Sequence, residues 1–119
     1  MNVVSFDLNG IQVAEMQSKG IVIRSARDAA DVIRQLVDRG AKKLILHEKN
    51  LCPEMWQVSN GLAGAILKKF TDSAVGVAIV GQFDRIKGRG LQEFIEESNS
   101  GNEAFFVGSV ELAKARFST

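Results

Sequence analysis

The segment Ala74 to Gly81, AVGVAIVG, constrains the fold more than any other part of the chain. It is apolar throughout and about as long as an average strand. A strand with one face in water alternates apolar and polar side chains, whereas a parallel strand covered on both faces carries a continuous apolar run. We therefore expect this segment to be an interior strand with parallel neighbours on both sides.

The N-terminal segment VVSFDLNGIQVAEM predicts a β-hairpin. Alternating apolar residues lie on both sides of Asn9-Gly10, the dipeptide most typical of two-residue hairpin turns. The short run IVIR, residues 21–24, could extend the same sheet. The following SARD, Ser25 to Asp28, is typical of a capping box at a helix start, and Gly40 is predicted to end that helix.

Helical and strand patterns alternate along the rest of the chain. The segments are a strand KLILHE, a helix over 59–70, a helix from about Leu91 to Ser98, a strand AFFV, and a helix from Val110 to Phe117 with Ser109 as N-cap. This order predicts an α/β fold: an N-terminal β-hairpin followed by alternating helices and mostly parallel strands, in a single sheet. We expect one domain over residues 1–119.

Composition excludes several classes of function. Fifteen Lys and Arg against fourteen Asp and Glu leave a formal charge of +1. The protein therefore has too little net positive charge to attract nucleic acid or an acidic membrane surface. No apolar run approaches the roughly 20 residues of a membrane-spanning helix, which predicts a cytoplasmic protein. With one cysteine, Cys52, and one histidine, His47, there is neither an internal disulfide nor a Cys/His zinc cluster. No cofactor is predicted.

Catalytic patterns are weak. Ser59, His47 and Asp84 lie near the carboxyl ends of predicted strands and could form a Ser-His-Asp arrangement, but Ser59 lacks the G-x-S-x-G context. Cys52 precedes Pro53 and could be a thiolate near a helix start or a small buried apolar residue. A small enzyme using His47 with Ser59 or Cys52 is therefore an alternative interpretation, and no residue is assigned as catalytic.

A basic, glycine-rich loop follows the apolar strand. In GQFDRIKGRG, residues 81–90, Arg85, Lys87 and Arg89 precede a helix start, where anions are favoured. The pattern is not that of a P-loop or a dinucleotide fingerprint. The loop is either an anion-binding element over 84–90 or a solvated connection.

The segments before the 59–70 helix hold the remaining candidate residues. Ser59 or Asn60 is predicted to cap the amide of Leu62 or Ala63, and Gly61 and Gly64 are predicted to let the helix approach the sheet closely. In LCPEMWQ, residues 51–57, Trp56 either covers the end of the sheet with Met55 or is exposed beside Met55 and Phe83 as part of a partner site.

Two families resemble this chain. VSNGLAGAIL is similar to the D-S-S-G-L-G segment of STAS domains, the anti-sigma-factor antagonist fold, in which the serine matching Ser59 is phosphorylated. The chain has Val58 at the acidic position, Asn60 at the second serine and an extra alanine before Gly64. LILHEKN, GLAGAILKKF, VAIVGQF, FIEESNSG and FFV together resemble the bacterial domain-of-unknown-function family 4180.

The resemblance implies a STAS-like fold and a regulatory or binding role. We therefore predict a non-catalytic module that binds a protein or a ligand, with a protein partner or a second copy of the chain as its expected partner class. The candidate binding residues are Ser59, Asn60, Gly61, His47, Trp56, Arg85, Lys87 and Arg89.

Overall fold

The computed structural model describes residues 2–85 and 88–118. Five strands form one sheet, and their order across the sheet, β1-β2-β3-β4-β5, is also their order along the chain. The strands are β1 (Val3–Leu8), β2 (Ile11–Met16), β3 (Lys43–His47), β4 (Gly76–Val80) and β5 (Ala104–Val107). The β1–β2 pair is antiparallel and the other three pairs are parallel, so the predicted α/β fold with a single sheet is confirmed.

Helices cover both faces of this sheet. They are α1 (Ala26–Asp38), α2 (Leu62–Asp72), α3 (Arg89–Asn99) and α4 (Val110–Phe117). The crossover helices α1, α2 and α3 contribute to the larger apolar core on one face, whereas α4 packs on the opposite face through Ala113 and Phe117. The second core is smaller because α4 is a short helix and contacts mainly β4 and β5.

The apolar segment that constrains the fold is an interior strand, as predicted. β4 pairs in parallel with β3 on one side and β5 on the other. Its three central residues, Val77, Ala78 and Ile79, are buried. Because Val77 and Ile79 enter the larger core and Ala78 the smaller one, neither face of the strand leaves room for a polar residue.

The hairpin and the helix starts follow local chemistry. Asn9 and Gly10 have φ angles of 53° and 86°, the left-handed pair required by a two-residue turn that matches the strand twist. Ser25 Oγ accepts the Asp28 amide at 3.1 Å, and Ser109 Oγ accepts the Leu112 amide at 3.1 Å. The reciprocal bond of the capping box is shifted by one residue, since the Asp28 carboxylate accepts the amide of Arg24 at 2.8 Å.

The IVIR segment does not extend the sheet. Ile23 makes a single parallel bridge to Leu51, away from the five strands. Asn50 is fully buried and holds the chain just before IVIR. Its side-chain amide donates to the carbonyl oxygens of Ser18 and Gly20 at 2.8 and 3.0 Å. Its Oδ1 accepts the His47 amide at 2.9 Å. The amides of Val22 and Ile23 donate to the Asn50 carbonyl at 2.8 and 3.1 Å, so Asn50 anchors this part of the chain to the end of β3 through both its side chain and its backbone.

Helix α2 begins three residues later than the apolar pattern predicts. Val58–Asn60 forms a separate 3-10 turn, and Gly61 follows it in the left-handed conformation with φ 77°. This backbone reversal separates the turn from the helix. In the described part of the chain, no helix is long and apolar enough to cross a membrane.

Candidate functional site

The carboxyl ends of β4 and β5 border a cleft of about 580 Å³. Open α/β sheets place ligands outside the carboxyl ends of their strands, which makes this cleft the first candidate site. It is lined by Gly81, Gln82, Phe83, Asp84, Gln92, Ile95, Glu96, Asn99, Phe106, Val107 and Gly108. Three elements therefore contribute: the turn after β4, one side of α3, and the end of β5.

A group of aromatic rings lies at the cleft, with Phe83 and Phe106 in its lining and two further rings beside them. Phe106 is buried, and the half-buried Trp56, Phe83 and Phe94 surround it with ring centroids at 6.4, 5.3 and 6.1 Å. Trp56 also contacts Phe83 directly, with centroids 5.5 Å apart. Such tilted and edge-on arrangements are the favourable ones for aromatic pairs. The rings thus form one connected surface that reaches solvent at Trp56 and Phe83.

Close packing at Gly81 fixes the turn that carries Phe83. A Cβ atom at Gly81 would lie 2.9 Å from Glu48 Cδ and 2.9 Å from Phe83 Cζ, too close for any other residue without a shift of its neighbours. The Glu48 carboxylate accepts the Gln82 amide at 3.3 Å, and the Gly81 amide donates to the Val107 carbonyl at 2.9 Å. The turn after β4 is therefore held from both β3 and β5.

The described lining of the cleft is acidic. Asp84 and Glu96 contribute carboxylates, and no lysine or arginine is present among the lining residues. The side-chain amides of Gln82, Gln92 and Asn99 complete the polar part. An aromatic wall combined with carboxylates suits a cationic group, which binds to both kinds of surface.

The start of α2 is built for capping rather than for close packing. Asn60 Oδ1 accepts the Leu62 amide at 2.8 Å, as predicted, and its Nδ2 donates to the Glu54 carbonyl at 2.9 Å. The prediction that Gly61 and Gly64 permit close packing is wrong: a Cβ atom at either position would meet nothing within 4 Å. The physical requirement at Gly61 is its positive φ. Ser59 is exposed in the adjacent 3-10 turn.

Met55 and Trp56 divide between core and surface. Met55 is fully buried in the larger core, whereas the Trp56 ring is half-buried against that core and lies beside Phe83. The two side chains diverge because adjacent residues of a 3-10 turn point in different directions. Trp56 therefore lies beside the cleft, in contact with its lining residues Phe83 and Phe106.

His47 lies on the other face of the sheet, which α4 partly covers. Its Nε2 is 3.1 Å from Glu15 Oε2, and the two side chains are 26% and 18% exposed. Cys52 is buried, and its thiol donates to the Arg24 carbonyl at 3.7 Å. Within residues 2–85 and 88–118, no hydrogen bond joins His47 to Ser59, Cys52 or Asp84.

The basic loop is only partly described. Arg85 ends the 3-10 turn that begins at Phe83 and is exposed, and Lys87 lies outside the described residues. Arg89 opens α3, and its Nε donates to Glu93 Oε1 at 2.9 Å. One of the loop's cations is therefore already paired with a carboxylate of its own helix. Anion binding by the 84–90 segment stays a prediction.

Phe106 and Glu96 are not among the residues predicted for a site, whereas Phe83 is predicted to lie beside Trp56 if that surface is exposed. Phe106 reads in the sequence as an ordinary core residue of AFFV, and Glu96 as a solvated helix position. The signal that was available is Phe83 itself, an aromatic residue two positions beyond a buried strand. Its partners become visible only when the sheet brings the ends of β4 and β5 together.

Comparison with known proteins identifies one family. The family model described as Domain of unknown function (DUF4180) matches residues 8–117. No curated protein and no solved structure matches the chain.

Proposed function

The chain belongs to the family described as Domain of unknown function (DUF4180), and we propose that it is a non-catalytic regulatory module that binds a segment of a partner protein. The binding site is the cleft at the carboxyl ends of β4 and β5. The bound segment carries a lysine or arginine beside an apolar side chain. A STAS-like relationship would agree with such a role.

The observation that carries the proposal is the solvent-facing pair of rings at Trp56 and Phe83. Both rings rest on the buried Phe106, so they are held in place rather than free to rotate away. Large, pre-positioned aromatic side chains at the surface are typical of the residues that dominate the energy of protein interfaces. An apolar side chain of the partner would pack against this pair.

The acidic lining of the cleft favours the lysine or arginine of the bound segment. A cation placed against the Phe83 ring would be attracted by its π-face and would lie near the carboxylates of Asp84 and Glu96. Both carboxylates are exposed, so each ion pair contributes modestly and mainly to specificity. A segment with an acidic residue at the same position would be disfavoured.

The arrangement of His47 favours a binding role over catalysis. A nucleophile needs a base within about 3 Å, and the His47 ring instead contacts Glu15 on the opposite face from the cleft. The Cys52 thiol, being buried, is closed to substrates. Among the residues that the structure describes, neither Ser59 nor Cys52 is therefore hydrogen-bonded to the histidine that activation would require.

Trp56 provides a direct test, because it is the only tryptophan of the chain and its fluorescence reports on the cleft. Short peptides that hold lysine between two leucines should change the emission in a saturable way, whereas matched peptides with glutamate should not. Phe83→Ala should weaken binding by about 30-fold, as expected for a central aromatic contact. Glu96→Gln should weaken it about two- to fivefold.

Glu111→Gln is the matched control for the charge. Glu111 is an exposed carboxylate on α4, across the sheet from the cleft, and its loss should leave peptide affinity unchanged. Equal binding of lysine and glutamate peptides would contradict the proposal, as would unchanged affinity in folded Phe83→Ala.

A further inference from the structure

The two edges of the sheet differ in whether their outward backbone groups are satisfied. On the β5 edge, Asn99 Nδ2 donates to the Phe106 carbonyl at 3.0 Å, and Asn99 Oδ1 accepts the Phe106 amide at 2.7 Å. Ser98 Oγ donates to the Ala104 carbonyl at 2.7 Å. Side chains at the end of α3 therefore occupy the positions where another strand would bind.

The β1 edge has no such cover. In a two-residue hairpin the residues flanking the turn, Leu8 and Ile11, exchange backbone hydrogen bonds, and these bonds recur at every second residue. The Gln17 amide accordingly donates to the Asn2 carbonyl at 2.7 Å. The amides and carbonyls of Val3, Ser5 and Asp7 thus point outward, and in the described part of the chain nothing binds them.

The sequence of β1 also lacks the usual protection of an edge strand. Natural edges are interrupted by lysine, proline or bulges, which prevent pairing with another chain. β1 reads VVSFDL, pairs with β2 in an unbroken register, and has one charged residue, Asp7. The Asp7 carboxylate is directed to the turn, where it accepts the Gly10 amide at 3.2 Å.

We propose that a second copy of this chain binds along β1, antiparallel, with a two-fold axis at Ser5. In this register Val3 of each copy pairs with Asp7 of the other, and all three outward residues exchange backbone hydrogen bonds. The two sheets become one sheet of ten strands, twice the five of a single copy. The β5 edges remain closed at both ends, so the assembly stops at two.

The side chains of β1 complement themselves in this register. Val4 is 53% exposed and lies on the face that carries Phe6 and α4. The two-fold axis places Val4 of each copy beside Phe6 of the other copy. Both Val4 side chains, one in each copy, are therefore covered in the dimer. Directly opposed pairs of an aromatic and a β-branched side chain stabilise a sheet.

Charges on the same face agree with this arrangement. Lys114 Nζ lies 4.7 Å from the Phe6 ring centroid, and Glu15 is the β2 partner of Val4. Across the axis, the Lys114 ammonium of one copy would lie roughly two strand spacings, about 10 Å, from Glu15 of the other. Each copy therefore contributes one attractive cation and one attractive anion to the interface.

Sedimentation velocity over a wide range of protein concentration tests the proposal. Wild-type protein should reach a mass twice 13.0 kDa. Ser5→Pro removes an outward amide on the axis and should give a monomer that keeps the wild-type circular-dichroism spectrum, because this amide is not bonded within the hairpin. Val4→Lys, at an exposed position, should also give a monomer, and serves if the proline variant does not fold.

Val37→Lys is the control, since Val37 is an exposed apolar residue of α1 far from β1 in the sequence; this variant should dimerise like the wild type. An isotope-filtered NOE between the Val4 methyls and the Phe6 ring in a mixed-labelled sample should confirm the register. A wild-type monomer at every concentration, or a dimer that persists in folded Ser5→Pro, overturns the proposal.

Discussion

Two glycine-containing turns at the carboxyl end of the sheet are built in opposite ways. Gly81, after β4, is enclosed by Glu48 and Phe83, so it is required for space. Gly61, before α2, has open space around the position of a Cβ atom but a φ of 77°, so it is required for backbone conformation. Glycine in a sequence does not reveal which of these applies. The region around Gly81, which includes the turn Glu48–Asn50, is therefore tightly packed, whereas the region around Gly61, which includes the turn Val58–Asn60, is loosely packed.

The largest difference between the two regions should appear at their asparagines. Asn50→Ala removes three hydrogen bonds from a fully buried residue of the packed region and should destabilise the protein by about 3 kcal/mol. Asn60→Ala, its matched control in the exposed region, removes two bonds and should cost about 1 kcal/mol. Urea unfolding of both variants measures the two decreases in the free energy of unfolding. Equal decreases would contradict the distinction between a tightly and a loosely packed region.

Gly81→Ala should destabilise the protein by about 2 kcal/mol through overpacking. The new methyl group would meet the side chains of Glu48 and Phe83, so removal of one neighbour should relieve part of the cost. A double-mutant cycle with Glu48→Ala, followed by thermal unfolding, measures this relief. Strictly additive effects would show that the glycine is not enclosed.

Gly61→Ala should cost about 1 kcal/mol, because a residue with a Cβ atom is strained at positive φ. Gly61→Asn should cost less, since asparagine tolerates the left-handed region better than alanine. If space rather than conformation were limiting, the larger asparagine would be the worse replacement. Thermal melts show which of the two variants is more stable: Gly61→Asn if conformation is limiting, Gly61→Ala if space is limiting.

Gly64→Ala should stabilise the protein slightly, by about 0.5 kcal/mol. Gly64 lies inside α2, where alanine is the better helix former, and a Cβ atom there would contact nothing within 4 Å. Chemical denaturation measures the gain. A loss of stability would place Gly64 with Gly81, among the enclosed glycines.

The fold was predictable to the extent that its signals are local. The Asn9-Gly10 turn, the Ser25 and Ser109 caps and the uninterrupted apolar strand each depend on a few adjacent residues, and all of them agree with the structure. The strand prediction for IVIR is wrong because its apolar pattern fits a strand, whereas its backbone bonds to the backbone of Asn50 and Cys52, around the single bridge from Ile23 to Leu51.

The site was less predictable because its contacts are distant along the chain. The sequence predicts Trp56 and Phe83 as parts of one surface if Trp56 is exposed, but Phe106, which contacts both rings, belongs to β5 and meets them only through sheet register. The packing role was assigned to Gly61 instead of Gly81 because the contact with Glu48 depends on how two strand ends lie side by side.

The order of the strands has a consequence for how the chain folds. Because β1 to β5 lie side by side in the order in which they are synthesised, each new strand finds its partner already in place. The hairpin forms within microseconds from local contacts, and every later pairing closes only the loop that contains one crossover helix. No strand must wait for a distant segment or be inserted between two others. We therefore expect folding to proceed by stepwise growth from the N-terminal hairpin, which a ribosome would release first.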